Sequence, residues 1–108
     1  MYNPQTVETI SGVVVSVGKF DGMKGMSQGV HAVVKTDTET ISVHLGPAWF
    51  IDNQETKISP NDRVEVKGSR ITFEGKPAII AAEVTKDGQT LTLRDATGMP
   101  VWRSWRRK

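Results

Sequence analysis

Between residues 30 and 50 the chain alternates so regularly that its strand pairing can be read before its fold is known. Val-His-Ala-Val-Val-Lys-Thr (30–36) leads through a polar turn into Thr-Ile-Ser-Val-His-Leu (40–45), then Gly-Pro-Ala-Trp-Phe (46–50). A period of two puts Val30, Ala32 and Val34 on one face of a strand, and Ile41, Val43 and Leu45 on one face of the next. Apolar faces must meet in one core, so Val34 should oppose Ile41, Ala32 oppose Val43 and Val30 oppose Leu45. That register sets His31 against His44 on the outer face, among Val33, Lys35, Thr40 and Ser42. A one-residue slip would bury the polar set, and the alternation forbids it.

The rest of the chain supplies more strands. Val7 to Val17 reads as a long first strand whose apolar residues change face near Gly12, as a strand bending to serve two sheets requires. Lys19 to Gly29, with glycines at 22, 25 and 29, reads as a loop. It lacks the Lys-Ser/Thr ending of a phosphate-binding loop. Gly46-Pro47 starts a short helix from Ala48 to about Gln54, with Trp49, Phe50 and Ile51 placed to plug a barrel end. Further strands run from Arg63 to about Phe73, Ala78 to Val84 and Thr90 to Arg94, the last two joined by a tight Asp87-Gly88 turn. Met99 onward shows no periodicity.

Five or six strands and one helix between the third and fourth describe an all-β, OB-type Greek-key barrel. An antiparallel sandwich would not need a helix at that position. The expected organisation is one barrel domain, 1–102, and a basic aromatic tail, 103–108. Four of the fourteen basic residues lie in that tail, so residues 1–102 carry ten bases against twelve acids. The body is not a uniformly basic nucleic-acid surface. The chain has no cysteine, which removes disulfides and thiolate metal sites. It has no apolar run long enough to span a bilayer and no signal-peptide pattern.

Several stretches resemble a group of small bacterial OB-fold proteins, many of them exported and some described as DNA-binding. The likeness runs through Thr9-Ile-Ser-Gly-Val-Val-Val-Ser-Val17, Gly-Val-His-Ala-Val-Val-Lys-Thr (29–36) and Val43-His-Leu-Gly-Pro-Ala-Trp-Phe50. It continues through Asp62 to Arg70, Gly75 to Ala78, Leu91 to Asp95 and Gly98 to Trp102. The resemblance implies the barrel and a periplasmic or exported address. It assigns no catalytic or ligand residues.

Three chemistries compete for the outer face. A nucleic-acid strand, or another extended anion, would use the face of the second and third strands with its flanking loops. Candidate contacts are Lys19, Phe20 and Lys24 in the first loop, His31, Lys35 and His44 on the sheet, and Arg70, Phe73 and Lys76 near a later hairpin. Trp105, Arg106 and Arg107 in the tail join them. The sheet face itself offers no Phe, Tyr or Trp for stacking, which counts against this reading. A copper site would use His31 and His44 with Met23 and Met26, a nitrogen and thioether set that suits copper(I). The plainer alternative is two solvent-facing histidines beside a loop packed on the barrel. A cell-envelope protein partner is the third option. Catalysis is not expected, because no nucleophile elbow, zinc-protease helix or paired carboxylates occur.

Overall fold

The computed structural model describes residues 4–20, 29–52, 54, 57–73, 75–95 and 97–101. Six strands follow a short 3₁₀ turn: β1 (Val7–Phe20), β2 (Gly29–Lys35), β3 (Thr40–Pro47), β4 (Arg63–Phe73), β5 (Lys76–Lys86) and β6 (Gln89–Thr92). A single helical turn, α1 (Ala48–Ile51), lies between β3 and β4. The spatial order is β3-β2-β1-β4-β5-β6, and β3 also pairs with β5. Strands β1 to β5 therefore close on themselves as an OB-type barrel, and β6 is added outside the ring.

Closure depends on how β1 is shared. Its first half pairs with β4, from Val7 opposite Ser69 to Val13 opposite Arg63. Its second half pairs with β2, from Val13 opposite Lys35 to Phe20 opposite Gly29. At the hand-over a Cβ on Gly12 would lie 2.3 Å from the Lys35 carbonyl oxygen, so only glycine lets the backbones meet there. The change of face comes slightly later, at a bulge between Val14 and Ser16. Val14 is fully buried, Val15 is left 52% exposed, and Val17 packs against the core again. A bulge adds one residue and inverts the alternation, which is why this strand has no single apolar face. β1 also continues to Phe20, so Lys19 and Phe20 are strand residues rather than the start of a loop.

The β2–β3 hairpin keeps the expected register over most of its length. His31 faces His44, Ala32 faces Val43 and Val34 faces Ile41. Val30 does not face Leu45. A second bulge sets it opposite Gly46, and Leu45 is the extra residue. Val30 and Leu45 are both buried all the same, so the core is served by either pairing. With Val64 and Val66 of β4 and Ile79, Ala81 and Val84 of β5, these side chains form one cluster, closed by Phe50, Ile51, Leu91 and Leu93.

Helix α1 is one turn rather than the expected two. The Gln54 side-chain amide donates to the Phe50 carbonyl, and the Gln54 backbone N–H reaches only to Ile51, tightening and ending the turn. The last strand ends at Thr92 rather than Arg94, but hydrogen bonding continues beyond it. Leu93 and Arg94 both donate to the carbonyl of Ala82. Asp95 Oδ1 accepts from the backbone N–H groups of Thr97 and Met99 and from the Thr97 hydroxyl. This turn brings Pro100 beside Arg94 and lets Val101 donate to Leu93, so Met99 to Val101 fold back onto the barrel.

Candidate functional site

The parallel pairing that closes the barrel runs through Ser42–Ala78, Val43–Ile79 and His44–Ile80. It brings the start of β5, and the β4–β5 hairpin before it, against the outer face of the β2–β3 hairpin. A hollow of about 510 Å³ lies there, lined by His31, Ser42, His44, Phe73, Lys76, Pro77 and Ala78. No carboxylate lines it among the described residues.

His31 and His44 project from adjacent strands at directly opposed positions. Opposed residues hold their Cβ atoms roughly 4.5–5.5 Å apart. On its other side His31 faces Gly18 of β1, where a Cβ would stand 3.6 Å from its Nε2. The bare backbone gives the imidazole room over β1. His44 packs against Phe73 edge to face, with ring centroids 4.9 Å apart and an interplanar angle of 74°. Phe73 is 45% exposed despite this contact. Burial holds the His44 pKa below its ordinary 6.5, and the neighbouring charge of His31 lowers it further.

The structure thus gathers four of the sequence candidates, His31, His44, Phe73 and Lys76, at one hollow. Phe73 supplies the aromatic ring that the sheet face lacks in sequence. Ser42, Pro77 and Ala78 complete the hollow, and Pro77 had no signal in the local pattern. Its position follows only from the β3–β5 contact between segments more than thirty residues apart.

The other candidates lie elsewhere. Lys35 is exposed at the end of β2, opposite Thr40 and outside the lining of the hollow. Lys19 is ion-paired to Asp52 at 3.1 Å. Arg70 places Nε 2.5 Å from Glu8 and its two terminal nitrogens 3.3 and 2.6 Å from Glu39. This fork ties β1, the β2–β3 turn and β4 together, and the Arg70 hydrogen bonds hold the Glu39 carboxyl below its ordinary range. The Phe20 side chain and residues Met23, Lys24, Met26, Trp105, Arg106 and Arg107 fall outside what is described. Among the described residues no three His, Asp or Glu cluster to hold a metal ion, and no helix is long and apolar enough to cross a membrane.

Fold and hollow together define a small OB-type β-barrel with a mixed imidazole, aromatic and ammonium groove over its closing seam. Residues 6–91 match the model of the MamS/MamX magnetosome protein family. That span includes β1 to β5 and most of β6, and the chain belongs to this family. A comparison with curated proteins returns no match.

Proposed function

We propose that the chain is a non-enzymatic binding module that holds a short length of an extended anion, a single strand of nucleic acid being the class that its groove suits best. The observation that carries this reading is the meeting of Phe73 with His44 beside Lys76. A partly exposed ring offers a face for a planar group, and the Lys76 ammonium at the same hollow offers a counter-charge for phosphate. The lack of any carboxylate among the described lining residues removes the repulsion an anion would meet. The hollow has the size of an ordinary ligand site, roughly 300–1,000 Å³. Cations in the tail, Arg106 and Arg107 among them, add a diffuse attraction. Membership in a magnetosome protein family gives the biological setting, and the likeness to exported barrels favours an envelope address.

The test is fluorescence anisotropy of a labelled single-stranded oligonucleotide over a range of potassium chloride concentrations. Affinity that falls steeply with salt, and weakens when residues 103–108 are removed, is the expected result. Competition by inorganic polyphosphate at equal charge would widen the ligand to extended anions in general. Absent or salt-independent binding of both probes would overturn the reading.

A further inference from the structure

We infer that His31 and His44 form a two-imidazole site for a divalent transition metal, copper(II) first among them. This inference does not rest on the anion reading, and it uses a different observation, the direct opposition of the two histidines across β2 and β3.

The geometry is that of a chelate. Side chains on opposed positions rise together from the sheet, with Cβ atoms roughly 4.5–5.5 Å apart. Metal–imidazole bonds are about 2.0–2.1 Å long, so two rings this close can reach one ion without moving the backbone. The His31 ring lies over Gly18 on the β1 side, so sharing an ion requires it to rotate toward His44 on β3. Both imidazoles border the same hollow, so the remaining coordination positions open to water or to an anion.

The donor type selects the ion. No carboxylate that would favour a hard cation lines the hollow among the described residues. Two neutral nitrogens with open positions suit copper(II), which stands at the top of the stability order for first-row ions. A ligand imidazole must be unprotonated, so metal binding should weaken as the solution is acidified. Lys76 borders the same hollow but is exposed, so solvent screens its charge.

The experiment is titration of the tag-free full chain with copper(II) chloride at neutral pH, read by calorimetry and electron paramagnetic resonance. One equivalent should bind, with hyperfine structure from two imidazole nitrogens. His31→Gln and His44→Gln should each weaken binding at least about tenfold, since losing even an outer-sphere partner of a metal ligand costs 10–100-fold. Zinc(II) should bind more weakly than copper(II). No binding, or unchanged binding by the double variant, would overturn the inference; the second result would place copper on other groups such as the amino terminus. Circular dichroism checks the folding of each variant. Should a variant unfold, nuclear magnetic resonance of the wild-type chain decides instead, because copper must broaden the His31 and His44 ring signals first.

Discussion

The Gly12 backbone lies directly against the Lys35 carbonyl, close enough that a Cβ would stand 2.3 Å from its oxygen. The contact is between two main chains at the point where β1 passes from β4 to β2, so no side chain can swing aside to relieve it. Gly12→Ala should cost about 1–3 kcal/mol, the usual penalty for overpacking. Gly18→Ala meets only the movable His31 ring at 3.6 Å and should stay within about 0.5 kcal/mol. Urea unfolding of the two variants measures the difference.

Acid should loosen the junction held by Arg70. Glu39 has a folded pKa below its ordinary 4.5, chiefly through its hydrogen bonds to Arg70. A depressed carboxyl pKa means the unfolded chain takes up the proton first. The stabilisation is therefore complete above pH 4.5 and disappears as pH falls through the folded value. The urea midpoint of the wild-type chain should drop over that range, and Glu39→Gln should flatten this part of the curve.

His44 should titrate below an unstructured histidine. Its folded pKa is depressed by burial and then by the charge of His31, so protonation favours the unfolded chain between pH 6.5 and the lower folded value. Stability should fall as pH decreases through that window. Proton resonance of the imidazoles reads the pKa directly. Replacing His31 by Gln should raise the His44 midpoint without restoring it fully, because the burial remains.

Phe73 tests whether the aromatic contact is used. If a base stacks there, Phe73→Ala should weaken oligonucleotide binding roughly 5- to 150-fold, matching about 1–3 kcal/mol per stacked base. Lys76→Ala should instead lower the salt dependence of binding. Anisotropy titrations of both variants separate stacking from charge.

The legible parts of this fold are those set by local alternation. The opposition of His31 and His44 followed from six apolar residues on two neighbouring strands, and it stands in the structure. The change of face in β1 was legible near Gly12, but the positions of the two bulges were not, because one inserted residue leaves no mark in composition. They displaced Val30 from Leu45 and turned Val15 outward. The fold-back from Asp95 to Val101 was hidden for another reason: three of its hydrogen bonds are accepted by one carboxylate and others join backbone groups, and neither kind carries an apolar period. Phe73 was named from sequence as a candidate contact, but its contact with His44 needed the distant β3–β5 pairing, which no local pattern encodes.

The seam between β3 and β5 engages only three residues of each strand, while β4 and β5 run on together past it to the Phe73–Lys76 turn. The tip of that hairpin is therefore cantilevered over the histidines, anchored at its base and independent of the core at its end. Lengthening or shortening the tip would re-aim Phe73 and Lys76 while leaving every buried side chain in place. The chemistry of this groove is thus set by one overhang and can be rewritten there without disturbing the core.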